Sequence, residues 1–111
     1  MKTFESNTCN FKVGTNAREN WNLLDYALPE DIFVHLNNCP SPYVIIIPKN
    51  FTTKITIDDI LYGCTICKQF SKKSSYQPNK TSYCYTEVKN VKKGKFLGEA
   101  ILKNNINIVT I

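Results

Sequence analysis

Residues 13–36 read VGTNARENWNLLDYALPEDIFVHL. The stretch contains the end of one strand, a helix and the start of another strand. Gly14 closes the first strand, because glycine accepts the backbone angles of a tight turn. Asn16 is a favoured N-cap, and Glu19 three residues later completes a capping-box pattern. Trp21, Leu24 and Leu28 recur at helical spacing, with Leu23 and Ala27 beside them. Pro29 stops the helix. Residues 31–36 then alternate, with Ile32, Val34 and Leu36 on one face and Phe33 and His35 on the other.

Outward from this unit, residues 3–5 and 10–13 alternate loosely and suit a short hairpin. On the other side, Asn37 to Pro42 carries turn residues. Residues 43–47, YVIII, are β-branched and apolar on both faces, as expected of a strand through the centre of a sheet. Residues 56–72 form the strongest helix: Thr56 caps, Asp59 sits at the third position, and Ile57, Ile60, Leu61, Cys64, Cys67 and Ser71 recur with its period. Residues 74–80 read as a loop. Residues 82–91 alternate as one strand, and turn signals at Lys92-Lys93-Gly94-Lys95 lead to short strands at 98–102 and 106–111. The order ββ-α-ββ-α-βββ predicts an α+β fold: one domain over 1–111, with a mostly antiparallel sheet and two helices packed on one of its faces.

Charge is unevenly distributed. Residues 1–48 hold three basic and five acidic groups, and residues 49–111 hold eleven lysines and four acids, so the balance runs from −2 to +7. Such a basic region attracts phosphate backbones. The five cysteines lack a regular spacing, and Cys64-Thr-Ile-Cys67 has no second pair, so these thiols read as core residues and no metal or cofactor is expected. No apolar run approaches a membrane span. A cytoplasmic setting is expected, with a nuclear one as the alternative, and no membrane partner.

His35 is the only histidine. Hydrolysis by a Ser-His-Asp or Cys-His set would have to use it as base, and a strand histidine of this kind reads as structural. Asp58 and Asp59 point about 100° apart on a helix. No GxSxG, HExxH or P-loop is present. No catalysis is expected. A small enzyme using His35 is the third reading.

The binding groups are clearer. Lys68, Lys72 and Lys73 end the second helix, and Lys92, Lys93 and Lys95 flank Gly94, where lysines reach phosphates easily. Tyr76, Tyr83 and Tyr85 lie between these clusters and could stack on bases or fill the core. Asn16, Arg18 and Asn20 gather at a helix start, whose free N–H groups favour anions.

The stretches Gly14-Thr15-Asn16-Ala17-Arg18-Glu19-Asn20, Pro29-Glu30-Asp31-Ile32-Phe33-Val34-His35 and Pro40-Ser41-Pro42-Tyr43-Val44-Ile45 together resemble the NFACT-R domain family. So do the 65–72 run TICKQFSK, then Tyr85-Thr86, Asn90 to Lys95 and Gly98-Glu99-Ala100. The eukaryotic coiled-coil-containing branch is the nearest in pattern. Thr15, Trp21 and Tyr43 depart from it at three positions expected on the polar surface. The resemblance implies binding of structured RNA, tRNA or rRNA, in translation or ribosome quality control, with ribosomal or quality-control factors as partners and no catalysis. It also places His35 beneath the Asn/Arg cluster. DNA is an alternative ligand, and a protein-interaction adaptor without nucleic-acid binding is the alternative function.

Overall fold

Eight strands and two helices follow the chain as ββ-α-ββ-α-ββββ in the computed structural model, which describes residues 1–37, 39–50, 52–72 and 80–111. The elements are β1 (Lys2–Glu5), β2 (Cys9–Val13), α1 (Ala17–Tyr26), β3 (Ile32–Leu36), β4 (Val44–Pro48), α2 (Ile57–Gln69), β5 (Ser82–Glu87), β6 (Val91–Lys93), β7 (Ala100–Leu102) and β8 (Asn107–Thr110). Six strands form one sheet in the order β1-β2-β4-β3-β5-β8, and β6 and β7 form a separate hairpin. Every pairing is antiparallel. This is the expected α+β architecture.

The helices do not share a face. Val34 and Ile46 join Ile60, Cys64, Ile66 and Cys67 of α2 in one core, whereas their strand neighbours Phe33 and Ile45 join Leu23 of α1 in a second. Successive strand residues point to opposite faces, so α1 and α2 cover opposite sides. Topology gives the reason. The connections β2-α1-β3 and β4-α2-β5 each skip one strand and move the same way across the sheet, but β2 and β4 run in opposite directions. Both crossovers are right-handed, the strongly preferred sense, only if the helices lie on opposite faces. The apolar 43–47 segment accordingly forms an interior strand covered on both sides.

Other expectations shift with the packing. Residues 82–91 are not one strand: after Glu87 the chain makes a 3-10 turn over Val88–Asn90. The Val88 N–H donates to the Asp31 carbonyl at 2.8 Å, and the Val88 side chain is buried beside Leu23. Leu28 lies beyond the last turn of α1 and is 62% exposed, so the buried side of α1 is built by Leu23 with Trp21, Leu24 and Ala27. Ile57 is likewise exposed.

The caps differ in kind. In α2 the capping box is complete, and Ser6 and Thr8 also donate to Asp59 at 3.1–3.2 Å, clamping the helix to the β1–β2 turn. Burial of Asp59 opposes ionisation, but the bonds from Thr56, Thr8 and Ser6 outweigh it and hold the carboxyl below its usual range. In α1 only half the box forms. Asn16 accepts from the Glu19 N–H at 2.9 Å, while the Glu19 carboxylate accepts from the Thr15 N–H and hydroxyl and from the Met1 ammonium.

Cys9, Cys64, Cys67 and Cys84 are buried, Cys39 is half-buried, and all five are free. Burial pushes the Cys64 thiol up to about 12 and the Cys67 thiol to about 11. Tyr83 is buried and Tyr85 packs against the same α2-side core. Tyr83 is thus no open stacking platform, Tyr85 is half-buried, and Tyr76 lies outside the described residues. Among the described residues, no helix is long and apolar enough to cross a membrane.

Candidate nucleic-acid interface

A cavity of about 560 Å3 opens where the start of α1, the 40–42 turn, the end of α2 and the loop before β7 meet. Asn16, Asn20, His35 and Lys72 all line it, four residues that come from three separate regions of the sequence. The walls between them are Gly14, Thr15, Ala17, Pro40, Ser41, Pro42, Phe70, Leu97 and Gly98, and no acidic side chain is among the described lining residues.

Asn20 is 7% exposed, and its carboxamide oxygen accepts from the Tyr43 N–H at 3.1 Å. The Gly14 N–H donates to the Tyr43 carbonyl at 3.1 Å. A Cβ on Gly14 would fall 2.1 Å from the Asn20 carboxamide oxygen. Glycine is therefore needed here for space, and not for the turn angle that the sequence suggests. Asn16 caps the helix, while the first N–H groups of α1 have no acceptor within the helix. Arg18 stands exposed on that first turn.

His35 lies on β3, stacked on Phe33 at 5.9 Å between centroids and edge-on to Tyr43 at 5.6 Å. Its Nδ1 lies 2.8 Å from the Leu36 carbonyl, which can only accept, so Nδ1 carries the proton and Nε2 keeps the lone pair. Burial holds its pKa below the ordinary value, against the opposing pull of the Leu36 and Ser41 backbone. The imidazole is thus neutral at pH 7.

The β6–β7 hairpin closes the site from the side. Gly98 has φ +87°, open to glycine at low cost, and a Cβ there would fall 2.7 Å from that of Ala17. The Tyr43 hydroxyl donates to the Gly98 carbonyl, and Trp21 Nε1 donates to the Glu99 carbonyl at 3.1 Å. Burial, helped by the Glu99 charge, pushes the Tyr43 phenol up to about 12. Two of the three departures from the family pattern are therefore not surface changes: Tyr43 is buried, and Trp21 packs under the hairpin.

The lysines divide. Lys72 lines the cavity, and Lys68 lies one turn back along α2. Lys93 pairs with Asp25 and sits 5.3 Å over the Trp21 ring, so it fastens the hairpin to the last turns of α1, away from the cavity. Lys95 donates its N–H to Glu99 and holds its ammonium 5.7 Å from the Phe96 ring. Lys92 is exposed opposite Ile101. Gly94 approaches Glu99 within the hairpin, where a Cβ would fall 2.0 Å from the carboxylate. Lys73 lies outside the described residues. Leu97, Gly98, Ser41 and Phe70 were not legible as site residues. Only the glycine at 98 carried a signal, and the 98–102 alternation suggested a strand instead. Among the described residues, no three His, Cys, Asp or Glu side chains gather as metal ligands.

An α+β sheet domain with a polar cavity at one end, holding Lys72 and no acid among its described lining residues, is the class that this geometry defines. No family model and no curated protein matches the chain. Among solved structures it is similar to the C-terminal part of the fibronectin/fibrinogen-binding protein from Streptococcus suis, with a TM-score of 0.74 and 20% identity over 93% of this chain and 40% of that one. The chain spans less than half the length of that structure. At this identity the likeness establishes the fold.

Proposed function

We propose that this chain is a non-enzymatic nucleic-acid-binding module that takes structured RNA, tRNA or rRNA, in translation or ribosome quality control, as its resemblance to the NFACT-R family implies. The observation that carries the reading is the single cavity to which Asn16, Asn20, His35 and Lys72 converge, with no acid among its described lining residues. The exposed start of α1 and the Arg18 guanidinium offer donors to phosphate, and neutral His35 offers Nε2 as an acceptor to a base or ribose hydroxyl. Lys92 and Lys95 are exposed on the hairpin, outside the cavity lining, and offer further phosphate contacts, whereas Lys93 is held by Asp25.

Gel-shift titration with tRNA and duplex DNA at several salt concentrations tests this. Phosphate contacts from Arg18, Lys72, Lys92 and Lys95 predict a log–log salt slope of about −3. Arg18→Ala with Lys72→Ala weakens tRNA binding and flattens that slope, and His35→Ala weakens binding without changing it. Failure to retain tRNA or duplex at low salt sinks the reading. Stronger retention of the duplex than of tRNA leaves a DNA-binding module.

The second reading, a protein-interaction adaptor, draws on the exposed apolar residues Phe96, Leu97 and Ile101 of the hairpin. The name of the Streptococcus suis protein speaks of fibronectin and fibrinogen binding, and a pull-down with those two proteins checks that reading directly.

A further inference from the structure

A second, larger groove of about 920 Å3 crosses the opposite end of the sheet, where β4 and β5 end and β3 and β8 begin. It is independent of the nucleic-acid reading, because it lies across the far ends of the strands that carry His35 and Tyr43. Its charges are ordered by the topology. Lys54 stands in the segment after β4, Glu30 and Asp31 stand at the entry to β3, and Glu87 ends β5.

Asp31 is unusual within this set. It is 4% exposed, yet it lines the groove. Its Oδ2 accepts from the Leu28 N–H at 2.9 Å, and among the described residues Oδ1 receives no hydrogen bond and no cation pairs with the carboxylate. No described side-chain oxygen is both fully buried and unpartnered, so Oδ1 keeps an opening toward the groove, where a ligand's donor can replace solvent on a carboxylate otherwise withdrawn into the fold. Burial, reinforced by the neighbouring Glu30 charge, accordingly raises its pKa.

Of the other charges in the groove, Lys49 and Glu87 are committed, and Glu30 and Lys54 form no ion pair among the described residues. Lys49 pairs with Glu5 at 2.8 Å and Glu87 with Lys89 at 3.6 Å. Lys54 has no ion-pair partner among the described residues and lines the same groove. Asp31 and Lys54 thus share one groove as opposite charges that do not reach each other. Tyr85, Ile32 and Ile47 supply apolar and aromatic surface between them.

We propose that this groove is a second binding site, for a small dipolar ligand whose ammonium or guanidinium head meets Asp31 and whose carboxylate meets Lys54. The apolar floor takes the aliphatic or planar body between the two ends, as in other mixed pockets of this size. A charge-assisted bond from a guanidinium satisfies the free Asp31 oxygen directly.

The test is a two-dimensional amide NMR titration of the whole chain with L-arginine and with agmatine, its decarboxylated counterpart. L-arginine shifts the signals of Asp31, Ile32, Lys54 and Ile55, and agmatine shifts the same signals at higher concentration. Asp31→Asn keeps an acceptor for the Leu28 N–H but removes the charge, and weakens both ligands about tenfold. Lys54→Gln brings L-arginine down to the level of agmatine. Shifts scattered over the surface, unchanged affinity in Asp31→Asn, or equal affinity of the wild-type chain for the two ligands overturns the proposal. Should Asp31→Asn fail to fold, the wild-type ligand comparison and Lys54→Gln, an exposed substitution, decide the matter.

Discussion

On the α2 side of the sheet, Val34 and Ile46 meet Ile60, Cys64 and Cys67, and Gly63 brings the helix so close that a Cβ there would fall 2.9 Å from the Ile46 side chain. On the α1 side, Leu23 is the one buried apolar side chain of the helix, with Trp21, Leu24 and Ala27 half-buried beside it, and directed bonds add to this packing: Asn20 to Tyr43 from the helix to the sheet, and Tyr43 to Gly98, Trp21 to Glu99 and Lys93 to Asp25 to the hairpin. A thirteen-residue helix with a broad apolar stripe is placed by burial. A ten-residue helix with one deeply buried leucine is placed by geometry, and the same bonds shape the cavity. The denser apolar packing thus lies on the α2 face, and the directed bonds around the cavity lie mainly on the α1 face.

The largest effect that would test this contrast is Ile46→Ala. Ile46 is fully buried, so its truncation lowers the unfolding free energy by about 2–5 kcal/mol in urea titration. The His35 ring resonances move less than in Asn20→Ala, because Ile46 does not line the cavity. Asn20→Ala is the converse. It strands the buried Tyr43 N–H at a cost of about 1–3 kcal/mol and moves the His35 resonances. If both variants move His35 alike, the two faces are not separable.

Tyr43→Phe comes next. Loss of the hydroxyl that donates to Gly98 costs about 0.5–1.5 kcal/mol. It speeds amide exchange in the 94–99 loop and leaves α2 amides unchanged. An unchanged loop shows that Trp21 and Lys93 hold the hairpin without it.

The smallest effect is a pH effect at the start of α1. The bonds from Thr15, with the Met1 ammonium, hold the Glu19 carboxyl down at about 2, from an ordinary 4.5. A depressed carboxyl contributes stability above its unfolded pKa and loses it as pH falls toward its folded value. The melting temperature of the wild-type chain therefore exceeds that of Glu19→Gln at pH 6, and the gap closes between about pH 4.5 and pH 2. The size is small because Glu19 sits at a screened surface. A gap that persists at pH 2 assigns the effect to something other than the Glu19 charge.

Much of the fold was legible because it is local. The Thr56–Asp59 capping box, the alternation of Ile32 to Leu36 and the two-sided apolarity of residues 43–47 each declare themselves within a few residues. The convergence of Asn16, Asn20 and His35 was legible in part, since they border one short β-α-β unit. Val88 was not, because its turn depends on a bond to Asp31, fifty-seven positions away. Nor was the burial of Tyr43, whose hydroxyl partner at Gly98 lies fifty-five positions on. Gly14 was marked correctly as required but for the wrong reason, since the crowding comes from Asn20 and not from its own dihedrals.

By itself the sequence determined the elements, the central strand and the excess of positive charge in its second part. These follow from periodicity, capping chemistry and composition, which act over one or two turns of chain. Only the tertiary structure decided that the helices lie on opposite faces, that Lys93 is held by Asp25 while Lys72 lines the cavity, and that Asp31 is buried with no counter-charge among the described residues. Crossover handedness and sheet order set those outcomes, and both are properties of strands distant in sequence meeting in space.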